Sequence, residues 1–187
     1  MKPALIIVDM IKGNEPFFTE EHRKIIPRVA ETIKKCRELS IPIIFANDSY
    51  MKNDWFFDFM KEHAVRGTEG VEVIDDLKPD RNDIIVEKRR FSAFFRTDLD
   101  LTLRELGIDT VVLAGINTNV CVLATAFDAV SNDFYTILLS DCCASGKKEL
   151  HEFIVEKFRG LPAFRVMESR EFIKIITDGS FQSERLK

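Results

Sequence analysis

Three residues of this sequence, Asp9, Lys88 and Cys121, could together perform nucleophilic chemistry. Each lies just after a short apolar run or in the turn that follows one. A thiol is a weak nucleophile until it loses its proton, and a helix amino terminus or a nearby cation favours the thiolate. Asp9 could take the thiol proton and later deliver it to a leaving amine, while Lys88 holds both groups in one electrostatic network. The combination predicts covalent catalysis by Cys121, with the sulfur held as a resting thiolate.

The same residues also have plain structural interpretations when they are taken one at a time. Asp9 could cap a turn, Lys88 begins a run of three basic residues that could be solvated, and Cys121 has the apolar neighbours of an inert core thiol. Thr118 is a candidate helix cap, and it would place Cys121 near the third helical position, close to unpaired amide hydrogens. Those amides could hold an oxyanion, so the chemical interpretation requires the three residues to meet.

Other catalytic motifs are absent from the sequence. It has no GxGxxG or GxxxxGK[ST] phosphate loop, no GxSxG serine elbow and no second acid two residues after Asp9. The three histidines, His22, His63 and His151, fall in a predicted helix, a long loop and a late helix, so no Cys/His pair is evident. A cysteine, a carboxylate and a lysine therefore remain the best candidates for the chemistry.

The elements that must position these residues follow from the hydrophobic pattern, in which short apolar runs alternate with amphipathic stretches. Strands are predicted over 4–8, 42–46, 83–87, 110–114, 134–139 and 164–166. Helices are predicted over 20–38, 97–107, 119–130, 147–158 and 168–176. Because the strands are apolar on both faces, helices must cover both sides of the sheet. The sequence thus predicts one α/β domain over residues 1–187, a three-layer α/β/α sandwich with a mainly parallel six-stranded sheet and a polar tail over 178–187.

The composition is that of an ordinary globular protein, with 187 residues of which 45% are hydrophobic and 31% are charged. A net charge of −4 gives no basic surplus for nucleic acid, and the apolar run at 4–8 is far shorter than the roughly 18 residues of a membrane span. The four cysteines are too irregularly spaced for a disulfide framework and fit free thiols in a reducing compartment. We therefore expect a cytoplasmic protein that binds neither nucleic acid nor membranes.

One long irregular stretch, residues 47–72, carries five aromatic side chains without a clean period. Loops of this length are usually functional or interfacial, so the stretch forms either a satellite core or subunit contact, or a pocket wall. As a pocket wall, it would place Tyr50 and Trp55 against a substrate, together with Phe17 and Phe18, and Arg90 could pair with a substrate carboxylate. Exposed aromatic residues also favour self-association, so we expect a homo-oligomer, a dimer or a tetramer.

The chain resembles the isochorismatase-like cysteine hydrolases, a superfamily that includes nicotinamidases, N-carbamoylsarcosine amidases and isochorismatases. The resemblance is carried by LIIVDM around Asp9, by VEKRRFSAFFRTDLDLTLRELGIDTVVLAGINTNVCV around Lys88 and Cys121, and by HAVRGTEG from His63. It covers the chain to about Ile176. What it implies is the isochorismatase-like hydrolase fold and a catalytic triad of Cys121, Asp9 and Lys88.

The resemblance also implies details of the site around the nucleophile. In these enzymes a cis peptide bond precedes the fourth residue before the cysteine, which here is the bond between Ile116 and Asn117. The amides of that residue and of the cysteine form the oxyanion hole, which corresponds to Asn117 and Cys121. Family enzymes of this kind cleave small amides through a thioester and are commonly oligomeric.

One departure from the family pattern concerns metal binding. Nicotinamidases carry an Asp-x-His pair and a later histidine as metal ligands, whereas the matching positions here are Asp48, Ser49, Tyr50 and His63. Because a catalytic zinc usually has three protein ligands, no metal or other cofactor is predicted. His63 is then interpreted as a hydrogen-bonded structural residue and Asp48 as a loop or pocket group.

The missing ligand favours the metal-independent enzymes similar to N-carbamoylsarcosine amidase. The function predicted from the sequence is hydrolysis of a linear amide or carbamoyl C–N bond in a small molecule, through a thioester on Cys121. Nicotinamidase or isochorismatase activity on the same fold is the alternative, although the retained cysteine favours amide chemistry. A non-catalytic binding or assembly module is a further alternative, because a fold alone does not fix a function.

Overall fold

A computed structural model describes residues 1–179 of the chain, in which strands and helices alternate. The strands are β1 (Pro3–Val8), β2 (Ile43–Asp48), β3 (Ile84–Lys88), β4 (Thr110–Ile116), β5 (Tyr135–Ala144) and β6 (Phe164–Met167). The α-helices are α1 (Glu20–Glu38), α2 (Leu99–Glu105), α3 (Leu123–Ser131), α4 (Lys148–Lys157) and α5 (Ser169–Asp178). No helix among these residues is long and apolar enough to cross a membrane.

The six strands form one sheet in the order β3-β2-β1-β4-β5-β6, and every pairing in it is parallel. The chain runs outward from β1 to one edge and then returns to β4 on the other side of β1. In open parallel sheets ligands bind beyond the carboxyl ends of the strands, at the point where the strand order reverses. That point lies here between β1 and β4.

Apolar side chains pack against both faces of the sheet, as the sequence predicts. All residues of β1, β2 and β4 are buried. One core contains residues of α1 and α5, and a second core on the opposite face contains residues of α2 and α3. Burial on both faces is the reason why these strands are continuous apolar runs. The predicted three-layer α/β/α sandwich is therefore confirmed.

Every strand of the described residues except β1 extends further at its carboxyl end than the hydrophobic pattern indicates. β2 ends at Asp48 and β3 at Lys88, and these two residues are register partners across the sheet. Asp48 is therefore a strand residue and not a loop residue, while its alternative interpretation as a pocket group agrees with its place in the lining of the cavity described below. The hydrophobic pattern does not predict these strand ends, because the terminal residues are polar. Their strand pairing depends on contacts with the neighbouring strand of the sheet. At the other end of the chain, Asp178 closes α5, and residues 180–187 of the predicted polar tail lie outside the described residues.

Gly115 allows β4 to approach β1 closely just before the candidate nucleophile. Its φ angle is +114°, and a Cβ at this position would overlap the backbone of Val8. The ladder between β4 and β5 shifts register at the same place. Only glycine combines this backbone conformation with this close contact. The residue thus sets where the chain leaves the sheet toward Cys121.

The long stretch after β2 forms a separate small core. Ile11, Tyr50 and Ala64 are buried together, with Phe56 and Met60 packed against them. The backbone of the stretch includes short 3-10 turns and one isolated bridge between Tyr50 and Val65. Its satellite core is thus observed, and its inner side chains also reach the cavity described below.

Candidate active site

Lys88 lies at the centre of a buried charged cluster. Its ammonium nitrogen is 2.8 Å from Asp9 Oδ2 and 2.5 Å from Asp48 Oδ1, and it also donates to the carbonyl of Arg90 at 3.2 Å. The side chain is fully buried. Burial alone would lower the pKa of Lys88, but the two carboxylates outweigh it and hold that pKa well above its usual range. Lys88 therefore stays positively charged between two acids.

Asp9 follows β1 in a left-handed backbone conformation, with a φ angle of +55°. One carboxylate oxygen accepts a hydrogen bond from the Asp48 amide at 2.9 Å, and the other contacts Lys88. Burial, followed by the negative charge of Asp48, raises the pKa of Asp9 to about 7, against the opposing effects of Lys88 and Cys121. A carboxyl group with such a pKa can both take up and return a proton near neutral pH.

Cys121 is buried, and its thiol is a hydrogen-bond partner of the Asp9 carboxyl group. Burial and the charge of Asp9 raise the pKa of this thiol well above its usual range, and Lys88 offsets this only partly. The predicted resting thiolate is therefore wrong. The sequence shows that Lys88 could stabilise a thiolate, but it does not show how deeply Cys121 is buried. Burial favours the neutral thiol. The sulfur is therefore protonated at rest.

The turn that carries Cys121 is a π-helical turn, Thr118–Val122, between β4 and α3. The carbonyl of Asn117 accepts hydrogen bonds from the amides of Val120 and Val122, at 3.0 and 3.2 Å. It accepts none from the amide of Cys121, which lies between them in the sequence. Wide turns of this kind occur frequently at functional sites. The peptide bond between Ile116 and Asn117 is cis. Of the two predicted oxyanion donors, Asn117 immediately precedes this turn and Cys121 lies within it.

Thr118 does not have its predicted capping role. The residue that precedes the turn is Asn117, with an extended backbone, and no side chain caps the turn. The Thr118 hydroxyl instead lies 2.9 Å from Nδ1 of His151, a histidine of α4. The sequence pattern of a threonine before an apolar run also fits a helix start, but the tertiary contact with α4 uses the hydroxyl.

His22 was missed as a site residue by the sequence analysis. Its Nε2 lies 2.8 Å from the side-chain oxygen of Asn117, and its Nδ1 accepts from the Thr19 amide at 3.1 Å. The Thr19–His22 pair forms a capping box at the start of α1. In the sequence this pattern indicates only a helix start, and nothing in it shows that α1 begins beside Asn117.

A cavity of about 310 Å³ between α1 and α5 contains no part of this cluster, whereas Cys121 lines another cavity of about 210 Å³. Of the predicted substrate-binding residues, Phe17, Phe18 and Tyr50 line the second cavity. Its remaining lining residues are Asp9, Asn14, His22, Asp48, Met60, His63, Phe91, Ile116, Asn117, Val120 and Cys121. The walls are mainly aromatic and apolar, with the acid and the thiol among the lining residues. The arrangement can therefore hold a small molecule against a nucleophile and a proton acceptor.

Trp55 and Arg90 do not line this cavity, contrary to the sequence prediction. The Arg90 guanidinium bonds the buried carboxylate of Asp54 at 3.2 Å and lies 4.6 Å from the ring centroid of Phe56. Trp55 is 59% exposed on the outer side of the same loop. Arg90 is thus held by an internal acid that the sequence does not identify as its partner.

The chain matches a known protein family. The family model described as the isochorismatase domain matches residues 3–171. The chain belongs to the isochorismatase family. The resemblance stated from the sequence is therefore confirmed, and the chain is an isochorismatase-family hydrolase.

Individual members of the isochorismatase family are similar over most of their length. An isochorismatase-like hydrolase from Alkaliphilus metalliredigens is 37% identical, with a TM-score of 0.88 over 93% of this chain and 98% of that one. N-carbamoylsarcosine amidase from Thermoplasma acidophilum is 32% identical, with a TM-score of 0.81 over 90% of this chain and 97% of that one. Ureidoacrylate amidohydrolase RutB of Acinetobacter baylyi is 42% identical over 79% of this chain and 73% of that protein.

The residues at the family's metal positions do not fit a metal site in this chain. Asp48 is bonded to Lys88, and the hydroxyl of Tyr50, at the position of the missing histidine, hydrogen-bonds Asp48. Nδ1 of His63 donates to the carbonyl of Lys61 at 2.8 Å, which leaves one imidazole nitrogen. No group of three or more acidic, cysteine or histidine side chains in residues 1–179 could hold a metal ion. A single imidazole and a lysine-paired carboxylate are too few donors for zinc.

Proposed function

We propose that this isochorismatase-family hydrolase cleaves a linear amide or carbamoyl C–N bond of a small molecule through a thioester on Cys121. The observation that carries the proposal is the contact of the Cys121 thiol with Asp9, which is itself bonded to the buried ammonium of Lys88, beside a cavity. The named relatives that act on carbamoyl or amide compounds, N-carbamoylsarcosine amidase and ureidoacrylate amidohydrolase, support the substrate class.

Formation of the thioester would begin with transfer of the thiol proton to Asp9. The sulfur of Cys121 then attacks the carbonyl carbon, and the carbonyl oxygen becomes an oxyanion that accepts from the amides of Asn117 and Cys121. When the C–N bond breaks, Asp9 returns the proton to the leaving nitrogen, so that ammonia or an amine departs. Lys88 compensates the negative charge that moves between the sulfur and Asp9.

Hydrolysis of the thioester would use the same groups in the reverse order. Asp9, again ionised, takes a proton from a water molecule as the water oxygen attacks the thioester carbon. The C–S bond then breaks, the carboxylic acid leaves, and Asp9 returns the proton to the sulfur of Cys121. A pKa of about 7 for Asp9 suits both directions of transfer, since neither protonation state is strongly disfavoured near pH 7.

Ammonia release from a panel of carbamoyl and primary amide compounds tests this function. We expect wild-type turnover, and a loss of at least about 10³-fold in Cys121→Ala, because the nucleophile is removed. Cys36→Ala is the matched control, since Cys36 lies on the buried face of α1 and does not line the cavity, so its replacement should leave turnover unchanged. No activity in wild type across the panel, or equal activity in the two variants, would contradict the proposal and favour a non-catalytic binding module.

Nicotinamide hydrolysis is the second candidate, and the aromatic cavity walls favour it. Phe17, Phe18, Tyr50 and Phe91 surround the space above Cys121, and no arginine or lysine of the described residues lines it. An aromatic amide without a carboxylate would pack against these rings. Nicotinamide and N-carbamoylsarcosine therefore belong in the same panel, and the ratio of their kcat/KM values decides between the two activities.

We also propose that the protein acts as a homo-oligomer in a cytoplasm. Large apolar side chains such as Phe59 and Phe153 are more than half exposed, which favours burial in a subunit contact. The four cysteines are free, as in a reducing compartment. Light scattering on the purified protein gives the number of subunits.

A further inference from the structure

His22 and Asn117 meet beside the candidate nucleophile, although α1 and the turn after β4 are far apart in sequence. His22 is buried, and its ring is held from both sides. The Thr19 amide can only donate, so Nδ1 of His22 accepts, and the ring proton of the neutral histidine is on Nε2. Nε2 therefore donates to the side-chain oxygen of Asn117 at 2.8 Å. Burial lowers the pKa of His22, which keeps this neutral form at pH 7.

The side-chain oxygen of Asn117 accepts a second hydrogen bond, from the amide of Gly146 at 3.1 Å. Its two lone pairs are then both used. The amino group of the carboxamide is the end that remains for the cavity, which Asn117 lines beside Cys121. A carboxamide has a hydrogen-bond acceptor at its oxygen and donors at its nitrogen. Because His22 and Gly146 hold the oxygen, the nitrogen is the end that a substrate in the cavity would contact.

We propose that His22 is a positioning residue for the reaction: it locks the Asn117 carboxamide and backbone so that Asn117 offers the substrate oxygen only hydrogen-bond donors. This inference rests on the proposed function, because Asn117 supplies one of its two oxyanion donors. His22 acts through Asn117 and does not touch the reacting atoms. Its loss should slow the steps that develop an oxyanion and leave the thiol itself unchanged.

Two conservative variants separate the two halves of the imidazole. In His22→Gln the amide nitrogen can occupy the place of Nε2 and donate to Asn117, whereas in His22→Asn the side chain reaches only the place of Nδ1 and keeps the bond to Thr19. We expect H22N to lower kcat by about tenfold or more with KM within about threefold, and H22Q to stay within about threefold of wild type. Equal kcat values in H22N and H22Q would overturn the proposal.

The rate at which iodoacetamide alkylates Cys121 distinguishes a positioning role of His22 from a general loss of structure. A loss of structure would change this rate, whereas a positioning role would not. This reaction forms no oxyanion, so H22N should be alkylated at the wild-type rate. A rate that falls in proportion to kcat would mean that His22 acts on the thiol or on the fold, and would overturn the proposal. Urea unfolding of both variants shows whether the loss of either bond changes the stability.

A double-mutant cycle with Asn117→Ala tests whether His22 acts through Asn117. In the N117A background H22N should cause no further loss of kcat, and a loss as large as in wild type would overturn the proposal. If H22N does not fold, Asn117→Asp gives the test, because it keeps an acceptor for His22 and Gly146 but offers the cavity no donor. We expect N117D to lose about tenfold or more in kcat, and wild-type kcat would overturn the proposal.

A probe that is not a substrate distinguishes failure of this inference from failure of the proposed function. Benzaldehyde adds reversibly to a thiol: the S–H bond breaks, a C–S bond forms, and the proton moves to the former carbonyl oxygen, which meets the Asn117 donors. Protection of Cys121 from iodoacetamide should need about tenfold more benzaldehyde in H22N than in H22Q. Equal protection would overturn the role of His22, whatever amide the protein hydrolyses.

Discussion

Two cysteines of this protein lie beside an aspartate, and the two pairs differ in their surroundings. Cys121 contacts Asp9 below the cavity, while Cys142 contacts Asp141 near the start of α5. Burial raises the pKa of both thiols, that of Cys142 to about 12. The acidity of the sulfur in the resting protein therefore does not distinguish the two regions.

The partners of the two carboxylates do distinguish them. Asp141 accepts from the amide and the hydroxyl of Ser169, each at 2.7 Å, so its oxygens fix the start of α5, and its nearby cation, Arg28 at 3.5 Å, is partly exposed. Asp9 instead has a buried ammonium beside it, a pKa of about 7, and a thiol that lines a cavity. A cysteine–aspartate contact becomes reactive when the acid is free to exchange a proton and a substrate can reach the sulfur.

The largest contrast is expected between Asp9→Asn and Asp141→Asn. Asp9→Asn should lower kcat by about 10²- to 10⁴-fold, since no group remains to carry the proton to the leaving amine. Asp141→Asn should leave kcat within about threefold and lower the free energy of unfolding by about 1–3 kcal/mol, because it weakens bonds to Ser169. Steady-state kinetics and urea unfolding of both variants measure this. A large loss of kcat in Asp141→Asn would remove the distinction between the two pairs.

Lys88→Met is expected to have the next largest effect, on stability. Removal of the ammonium leaves Asp9 and Asp48 buried together without a cation, which should lower the free energy of unfolding by about 3–5 kcal/mol at pH 7. The matched control is Lys12→Met, since Lys12 pairs with Glu72 at the surface and should cost at most about 1 kcal/mol. Urea unfolding gives both values. Similar losses of unfolding free energy in the two variants would show that the buried ion pairs of Lys88 stabilise the protein no more than a surface ion pair does.

The smallest effect concerns pH. Asp9 must be ionised to accept the thiol proton, so kcat/KM should rise about tenfold per pH unit below pH 7 and level off above it. The same raised pKa means that the folded protein binds this proton more tightly than the unfolded chain, so the contribution of Asp9 to stability falls as pH rises from about 4 to about 7. A pH–rate profile without an inflection near 7 would exclude Asp9 as the base.

The fold could be predicted because its physical cause is local in the sequence. Strands that are buried on both faces are continuous apolar runs, and the helices between them have apolar residues at helical spacing. The three layers therefore follow from the hydrophobic pattern. The strand ends could not be predicted in the same way. Asp48 and Lys88 continue their strands because each lies opposite the other across the sheet, a pairing that periodicity does not contain.

The identity of the candidate nucleophile, acid and cation was determined by the sequence itself, from residue type and from their positions after the first, third and fourth apolar runs. Tertiary structure decided what each group does at rest: Cys121 is a thiol, Arg90 is bonded to Asp54, and His22 reaches Asn117. The reason is that pKa values and hydrogen-bond partners depend on burial and on distances between segments that lie far apart in the chain, and these exist only after folding.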